Sequence, residues 1–429
     1  MQSLFDLFYK CSGVSTDSRN IEKDNLYIAL KGDNFDGNTF APEAIKKGAK
    51  YAIVDNPDYA DNVKIFSVNN GLKFLQELAN HHRKKFNIPV IGITGSNGKT
   101  TTKELIASVL SQKFETLYTQ GNLNNHIGVP LTLLRLNNTY DIAVIEMGAN
   151  KLHDIEELTE IAQPTHGIIT NIGYAHIEGF GSPEGVLRTK KEMYDSVSTV
   201  GGTLFYNEDD ETLKKILPSN TELISYGTID QAAVQGKLIE LGPEVKLKWW
   251  KKNYESPVIE TKIIGKYNFY NMLAAICIGD YFELQPGEIN KGIETYEPRN
   301  NRSQIQRTER NTLILDAYNA NPTSVRSALE SFGMMNHENK FFVLGDMLEL
   351  GEESQRFHEE IIALTVTLGL QGIFVGKIYK NISINNNAVR AFINTEEAKE
   401  FLKTAQPKNN LILLKGSRGI GLEKLSSVL

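Results

Sequence analysis

Short apolar runs alternate with amphipathic segments through much of the chain. From about residue 86 the apolar runs read "VIGIT", "DIAVIEMG", "HGIITNIG" and "GGTLFYN". Between them, Ile155–Ile161 and Pro183–Ser196 carry the apolar spacing of helices. This alternation predicts βαβ units around a largely parallel sheet. Strands of such a sheet are buried on both faces, which explains why they are uniformly apolar.

A different pattern occupies residues 237–265. The segments "VKLKWWKK" and "PVIETKIIG" alternate with polar residues, as antiparallel strands with one exposed face do. A helix is predicted over "YNFYNMLAAICIGDYF", where Phe269, Leu273, Ile276 and Ile278 recur at a roughly helical period.

A polar segment with a proline, "YEPRNNRSQ" at residues 296–304, is predicted to be a linker. After it, four more strands are predicted over "TLILDAYNANP", "KFFVLGDM", "QGIFVG" and "NLILLKGSRG". Near the N-terminus, "NLYIALKG" and "AKYAIVD" mark a smaller α/β unit. We therefore expect three α/β domains, spanning residues 1–85, 86–297 and 298–429.

The length of the chain is consistent with several domains, and its charge limits the classes of binding partner. The chain has 429 residues, and about 150 residues per domain gives two or three domains. The net charge of -6, with both signs mixed, argues against a general nucleic-acid binder.

Cys11 and Cys277 are expected to be free thiols in a reducing compartment. Because "MQSLFDLFYK" lacks signal-peptide features and no apolar run approaches about 20 residues, we expect a cytoplasmic protein without membrane insertion.

A glycine loop follows the first strand of the central region, in "VIGITGSNGKTTTKELI". Gly95 and Gly98 allow a tight turn that presents N–H groups to a phosphate, and the following helix adds its N-terminal dipole. Lys99 can reach the terminal phosphates, and the Thr100 hydroxyl can bind Mg²⁺. The loop is shorter than the usual P-loop, because Ile93 stands where the first glycine would be. An ordinary strand-to-helix turn is the alternative, but Gly-Lys-Thr-Thr at a helix start favours nucleotide binding.

Candidate metal ligands follow two other predicted strands. Glu146 ends the strand in "DIAVIEMGAN", at the sheet edge where open α/β sheets bind ligands. His176, in "NIGYAHIEGFGS", follows another strand end and is a candidate for a second metal. A solvated turn is the alternative for Glu146, and a structural role is the alternative for His176. Lys190 and Lys191 lie on a predicted helix, where a solvated face is the simplest interpretation.

Taken together, these motifs resemble a known family. "TGSNGKTTTKE", "GNLNNHIGVP", "EMGAN" and "AHIEGFGS" are similar to the central domain of the Mur ligases. "YNANPTS" and "VLGDMLELGE" resemble the branch that adds the dipeptide D-alanyl-D-alanine. The resemblance covers nearly the whole chain, including "STDSRNI" and "ALKGDNFDGNTF". It implies a small N-terminal UDP-binding domain, a central P-loop ATPase-like domain with a parallel sheet, and a C-terminal Rossmann-like domain.

The resemblance also implies roles for individual residues. The catalytic residues would be Lys99, Glu146, His176 and Lys190. Metal would be bound by Thr100, Glu146, His176 and, if it is carbamylated, Lys190. The ATP site would comprise Gly95, Ser96, Asn97, Gly98, Lys99, Thr100, Thr101, Asn268, Asn271, Arg302 and Asp316. The UDP-sugar peptide and the dipeptide would be bound by Ser18, Arg19, Asp36, Gly37, Asn125, Tyr318, Asn319, Asn321 and Ser324. Because Asn301, not glycine, precedes Arg302, Arg299 stays open as the linker arginine.

The activity that the resemblance implies is ATP-dependent amide bond formation through an acyl phosphate, in peptidoglycan synthesis. Its partners would be ATP, Mg²⁺, UDP-N-acetylmuramoyl-tripeptide and D-alanyl-D-alanine, and nothing in the sequence demands more than a monomer. One alternative is a folylpolyglutamate synthase, which shares the chemistry but has no uridine-binding N-terminal domain. A P-loop kinase or motor ATPase is disfavoured by the missing glycine. A regulatory nucleotide-binding protein would have no need for Glu146, His176 and Lys190.

Overall fold

The structure is a computed structural model that describes residues 2–174, 177–299, 301–382 and 389–429. Within these ranges the strands form sheets of four, ten and six strands and one two-stranded ribbon. The three larger sheets follow one another along the chain, and each is covered by helices. The predicted α/β class, with three successive α/β units, is confirmed.

The N-terminal unit is built on a parallel sheet of strand order β1-β2-β5-β6. Its elements are α1 (Gln2–Phe8), β1 (Val14–Ser15), β2 (Leu26–Ile28), β3 (Lys31–Gly32), β4 (Phe35–Asp36), α2 (Ala41–Lys46), β5 (Tyr51–Val54), β6 (Ile65–Ser67) and α3 (Gly71–Arg83). Strands β3 and β4 form the antiparallel ribbon. Strand β2 is wholly buried, as its apolar sequence predicts.

The central unit has a mixed sheet of order β15-β14-β13-β12-β11-β10-β7-β9-β8, with β16 paired to β14. Its strands are β7 (Val90–Thr94), β8 (Thr116–Tyr118), β9 (Ile142–Glu146), β10 (His166–Ile169), β11 (Thr203–Asn207), β12 (Glu222–Gly227), β13 (Val234–Leu241), β14 (Glu244–Lys251), β15 (Tyr254–Glu255) and β16 (Ile259–Ile264). Its helices are α4 (Lys99–Leu110), α5 (Gly128–Leu133), α6 (Asp154–Ala162), α7 (Ile177–Phe180), α8 (Pro183–Thr199), α9 (Glu211–Lys214), α10 (Phe269–Tyr281) and α11 (Pro286–Thr295). The strands from β8 to β13 pair in parallel, and those around β14 pair antiparallel, as predicted.

Strand register places the candidate residues at one sheet edge. Strands β7, β9 and β10 are buried along their whole lengths. Ile93 of β7 lies opposite Glu146 of β9, and Thr94 lies opposite Ile169 of β10. The carboxyl ends of three parallel strands therefore meet beside the glycine loop.

Helix α10 is buried on nearly all sides. Residues Asn271 to Gly279 are all buried, so the helix lacks the polar face that a surface helix shows. It packs against α4 and α11 and lies next to the glycine loop. A helix with this environment holds polar side chains such as Asn271 in fixed positions.

The C-terminal unit has a sheet of order β17-β18-β22-β19-β20-β21, parallel except for β17. Its elements are β17 (Gln304–Arg307), β18 (Thr312–Asp316), α12 (Pro322–Met334), β19 (Lys340–Gly345), α13 (Ser354–Thr367), β20 (Gln371–Val375), α14 (Lys377–Asn381), β21 (Val389–Phe392), α15 (Thr395–Ala405) and β22 (Leu411–Lys415). Strand β22 inserts between β18 and β19, which brings Asp316 opposite Lys415. Within the described ranges, no helix is long and apolar enough to cross a membrane.

Candidate active site

The glycine loop has the backbone that its glycines predict. Gly95 and Gly98 have φ values of +142° and +79°, which are unfavourable for residues other than glycine. A Cβ at Gly95 would lie 2.0 Å from Thr170 Oγ1, and one at Gly98 would lie 2.9 Å from Asn271 Oδ1. Helix α4 starts directly after Gly98, so its free N–H groups face the loop. The loop thus has the conformation of a phosphate-binding turn.

Lys99 folds back over this loop. Its Nζ donates to the carbonyls of Gly95 at 2.7 Å and Ser96 at 3.3 Å. Burial lowers the pKa of Lys99, Glu146 opposes that effect, and Arg302 lowers the pKa further. Two cations and one carboxylate therefore converge on the loop, an arrangement suited to a polyanionic ligand.

Glu146 is the carboxylate beside the loop, and it is 1% exposed. Its Oε1 accepts hydrogen bonds from Thr100 Oγ1 at 3.0 Å and Asn124 Nδ2 at 2.8 Å. Its Oε2 lies 3.9 Å from Nζ of the fully buried Lys103. That oxygen has no hydrogen-bond partner among the described residues. A buried carboxylate oxygen that is free next to a threonine hydroxyl fits a divalent cation with oxygen ligands.

Lys190 is buried on α8, contrary to the interpretation as a solvated face. It is 3% exposed, and its Nζ lies 5.4 Å from the centroid of the Phe180 ring. Burial lowers the pKa of Lys190 well below its usual range, and Lys99 adds to that effect. Lys191 is different, because it pairs with Asp195 on the outer part of the helix. His176, the other candidate metal ligand, lies outside the described residues.

Asn268 and Asn271 line the cavity beside the glycine loop. Asn271 Nδ2 donates to Asn268 Oδ1 at 2.8 Å. Asn268 Nδ2 donates to the carbonyl of Ile264 at 2.8 Å and to Ser303 Oγ at 3.1 Å. Asn268 therefore connects the central unit to Ser303, near the end of the predicted linker.

On the opposite side, Arg302 stacks on Tyr318. Its Cζ lies 3.6 Å from the centroid of the Tyr318 ring. Asp316, at the end of β18, pairs with Nζ of Lys415 at 2.7 Å and accepts a bond from the Ser303 N–H at 3.3 Å. Arg302 lines the cavity and acts electrostatically on Lys99, which favours it over Arg299 as the linker arginine.

These groups share one cavity of about 1250 Å³. A volume this large exceeds the roughly 300–1,000 Å³ of ordinary ligand pockets and suits more than one substrate. The predicted residues that line it are Ser96, Asn97, Gly98, Lys99, Thr100, Thr101, Asn125, Glu146, Asn268, Asn271, Arg302, Asp316, Tyr318, Asn319, Asn321 and Ser324. The fold thus brings residues from the central and C-terminal units to one place.

Some of these residues make local contacts. Asn125 Oδ1 accepts the N–H groups of Ile127 and Gly128 at the start of α5. Ser324 forms a capping box with Asn321. Asn319 Oδ1 accepts the next backbone N–H at 2.9 Å. In the structure these four side chains shape the cavity wall.

The predicted uridine-site residues lie elsewhere, around Tyr27. Burial raises the pKa of Tyr27 to about 12, and Asp17 and Asp36 raise it as well. The Tyr27 hydroxyl donates to the carbonyl of Gly37 at 2.9 Å. Arg19 is exposed and forms a salt bridge with Asp17 at 2.9 Å. The carbonyl of Ser18 accepts a hydrogen bond from Lys47 Nζ. None of the four predicted residues, Ser18, Arg19, Asp36 and Gly37, lines the large cavity.

Sequence reasoning missed four residues near the site. They are Lys103, Asn124, Ser303 and Lys415. Asn124 lies within the "GNLNNHIGVP" motif, and Lys415 ends an apolar strand, so the strand-end argument used for Glu146 could have found it. Lys103 and Ser303 also lie within segments that were singled out, "TGSNGKTTTKE" and "YEPRNNRSQ". Nothing local distinguishes them from their neighbours there, because their contacts with Glu146 and Asn268 join distant parts of the chain.

Three family descriptions match successive parts of the chain. Residues 10–83 match the Mur ligase family catalytic domain, residues 93–279 the Mur ligase middle domain, and residues 301–418 the Mur ligase glutamate ligase domain. With whole-length relatives above 30% identity, the chain belongs to the Mur ligase family. The predicted family is confirmed.

The relatives identify the branch of the family. The UDP-N-acetylmuramoyl-tripeptide–D-alanyl-D-alanine ligase of Bacillus subtilis (strain 168) is 34% identical over 425 residues, which cover 96% of this chain and 92% of the relative. A crystal structure of MurF from Acinetobacter baumannii has a TM-score of 0.90 and 31% identity, covering 99% of this chain and 97% of that one. MurF ligase from Thermotoga maritima in complex with ADP has a TM-score of 0.88 and 25% identity, with the same coverage. The resemblance to the dipeptide-adding branch is likewise confirmed.

Proposed function

We propose that this chain is an ATP-dependent ligase that joins D-alanyl-D-alanine to UDP-N-acetylmuramoyl-tripeptide. The observation that carries the proposal is the large cavity where the glycine loop, Glu146 and the C-terminal residues Arg302 and Tyr318 meet. The names of the whole-length relatives support the choice of substrates.

The chemistry starts with transfer of the γ-phosphoryl group of ATP to the terminal carboxylate of the tripeptide. A carboxylate oxygen forms the new P–O bond, the bond to the β-phosphate oxygen breaks, and ADP leaves. The neutral amine of the dipeptide then attacks the carbonyl carbon of this acyl phosphate through a tetrahedral intermediate. Inorganic phosphate departs, the amine proton is released, and an amide bond remains.

Cationic side chains make this approach of two anions favourable. Lys99 and Arg302, whose charges act on each other, would face the triphosphate and the carboxylate and would stabilise the charge of the transferring group. Thr100 and Glu146 would hold Mg²⁺, which when bound supplies positive charge to the phosphates. Asn268, Asn271 and Asp316 would position the nucleoside.

A carbamate on Lys190 is a further part of the proposal. Carbamylation requires a neutral amine to react with CO₂, and burial lowers the pKa of Lys190 well below its usual range. The product would be an anion, which could serve as a metal ligand together with Glu146 and His176. A carbamate would also account for the burial of Lys190, which is 3% exposed.

We propose a division of labour among the three parts. Residues 1–85 would hold the UDP group through Ser18, Arg19, Asp36 and Gly37. Residues 86–297 would hold ATP, and residues 298–429 would carry the dipeptide site. The protein would act as a cytoplasmic monomer.

The deciding experiment measures phosphate release from ATP by the purified protein with Mg²⁺ and UDP-N-acetylmuramoyl-tripeptide, with and without D-alanyl-D-alanine. We expect release that depends on both substrates, and a pentapeptide product by mass spectrometry. Release that D-alanyl-D-alanine does not stimulate would contradict the dipeptide assignment and would favour another amine substrate, or the folylpolyglutamate type of reaction.

A further inference from the structure

Two side chains of the C-terminal unit contact loops of the central unit, one at the glycine loop and one in the loop after β10. Asn321 Nδ2 donates to Asn97 Oδ1 at 2.8 Å. Close by, the backbone N–H of Tyr174 donates to Thr323 Oγ1 at 3.2 Å. Asn97 is the residue just before Gly98, so the start of α12 reaches the loop that would hold the phosphates.

The orientation of the Asn321 amide is determined by its own helix. Asn321 is the N-cap of α12, and its Oδ1 accepts the Ser324 N–H at 2.8 Å. The Asn321 N–H in turn donates to Ser324 Oγ at 3.1 Å. Because capping occupies the amide oxygen, the side chain must present its NH₂ group to the glycine loop.

The backbone of Asn97 is held in place independently. Its N–H donates to Asn171 Oδ1 at 3.0 Å, and its carbonyl accepts Thr170 Oγ1 at 2.6 Å and Asn171 Nδ2 at 3.0 Å. The side-chain amide is therefore the part of Asn97 that can turn. Facing a donor from Asn321, it must offer its oxygen, and this directs its own Nδ2 elsewhere.

The Nδ2 of Asn97 is buried and has no hydrogen-bond partner in the part of the chain that the structure describes. Asn97 also lines the large cavity, next to Lys99 and Thr100. A buried donor without a partner is unfavourable unless a ligand accepts its hydrogen bond. A phosphate oxygen is the acceptor that this loop is built to receive.

From these contacts we infer that Asn321 is a positioning residue for phosphoryl transfer: it orients the Asn97 amide so that Nδ2 donates to the nucleotide phosphates. The inference rests on the proposed function, in which the loop binds ATP. It makes docking of the C-terminal unit a condition for a complete set of phosphate donors. Asn321 then acts through Asn97 and need not touch the nucleotide.

Asn321→Ser tests this directly, because serine keeps the helix cap but is too short to reach Asn97. We expect an unchanged thermal midpoint. Affinity for a non-hydrolysable ATP analogue with Mg²⁺, measured by calorimetry, should fall about tenfold, and kcat should fall at least as much.

A double-mutant cycle with Asn97→Ala decides whether Asn321 acts through Asn97. Asn97→Ala alone should lower affinity and kcat by a similar factor. In that background Asn321→Ser should have no further effect, because the amide that it orients is gone. A full Asn321→Ser effect in the Asn97→Ala background would overturn the inference, as would wild-type behaviour of Asn321→Ser.

Asn321→Asp is a second variant that should fold, because aspartate caps helices as well as asparagine does. Its carboxylate accepts only, so the Asn97 amide would turn its NH₂ toward it and its oxygen toward the phosphates. We expect a loss of analogue affinity at least as large as that of Asn321→Ser. Affinity equal to that of the wild type would contradict the inference.

Asn394→Ser is the matched control. Asn394 is the N-cap of α15 in the same unit, and its Oδ1 accepts the Glu397 N–H at 2.9 Å. The same substitution there should leave analogue affinity and kcat unchanged, and a loss equal to that of Asn321→Ser would overturn the inference.

Failure of the proposed function can be told apart from failure of this inference. Analogue binding needs no ligase reaction, so coupling between Asn97 and Asn321 in binding would support the inference even if no pentapeptide formed. Pentapeptide formation with additive effects of the two substitutions would overturn the inference alone.

Discussion

Lys99 is the cation in closest contact with the glycine loop, since its Nζ reaches two loop carbonyls. In Lys99→Ala we expect product formation to fall on the order of 10²–10³-fold, because a preorganised positive group facing the phosphates is lost. Pentapeptide formation by mass spectrometry measures this. Lys113→Ala is the control: Lys113 is exposed just beyond the far end of α4, and its removal should change the rate less than twofold. Near-normal ligation by Lys99→Ala would contradict the assignment of the loop.

Lys190 and Lys191 form a natural pair for comparison, because one is buried and the other pairs with Asp195 at the surface. Lys190→Ala should lose activity that high bicarbonate cannot restore, since no amine remains to be carbamylated. A short-chain carboxylic acid should restore part of it by replacing the carbamate anion. Lys191→Ala should stay active under the same assay. Full activity of Lys190→Ala without additive would refute the carbamate.

The glycine loop between strand β7 and helix α4 depends on the backbone conformation at Gly98. Gly98 and Gly201 both have positive φ, at +79° and +68°, but only Gly98 has a neighbour that a Cβ would crowd. Each glycine-to-alanine substitution should cost about 1–2 kcal/mol of backbone strain. Gly98→Ala should also weaken ATP-analogue binding at least about tenfold, because Asn271 or the loop must move. Thermal unfolding and calorimetry measure the two effects, and equal binding by both variants would show that the turn tolerates a side chain.

Strand β10 begins with His166, which packs against the aromatic rings of Phe205, Tyr281 and Phe282. Burial lowers the pKa of His166 to about 4 from its ordinary 6.5, although Glu222 opposes the effect. The histidine is neutral in the fold but takes up a proton in the unfolded chain. The contribution of neutral His166 to the free energy of unfolding is therefore complete above about pH 6.5. It is lost as the pH falls toward about 4.

The pH dependence can be measured with His166→Phe. Because the pKa is about 4 in the fold against 6.5 in the unfolded chain, this residue should account for roughly 3 kcal/mol of the destabilisation that has developed by pH 4, where it is half protonated in the fold. Urea unfolding between pH 7 and pH 4 should show a free energy of unfolding that falls less steeply in the variant. An identical slope in both proteins would mean that His166 is protonated in the fold.

At the scale of the whole molecule, residues of the C-terminal unit form one wall of the large cavity. Acyl phosphates react with water, so the site must exclude it while the dipeptide attacks. We expect small-angle scattering to show a more compact particle with a non-hydrolysable ATP analogue, UDP-N-acetylmuramoyl-tripeptide and D-alanyl-D-alanine than with no ligand. A radius of gyration that the ligands leave unchanged would rule out substrate-driven closure.

Sequence reasoning found the parallel strands that have continuous apolar runs, and it found β14 and β16 from their alternation of polar and apolar residues. The strands that it missed are short or lack either pattern. Strands β7, β9, β10 and β22 are buried throughout, so their composition alone marks them. Strand β17, whose residues are half-buried or exposed, begins within the predicted linker. It exists because β18 offers it an antiparallel partner, which is a long-range contact and leaves little trace in local composition.

Local sequence by itself determined the α/β class, the glycine loop and the strand ends where Glu146 and Asp316 lie, because glycine requirements and apolar runs are properties of neighbouring residues. Tertiary structure alone decided that Lys190 is buried, that Lys103 lies beside Glu146, and that Lys415 pairs with Asp316. It also decided that Asn321 meets Asn97 across 224 positions of the chain. Such contacts depend on how separate units pack, and packing brings together residues whose distance in sequence carries no signal.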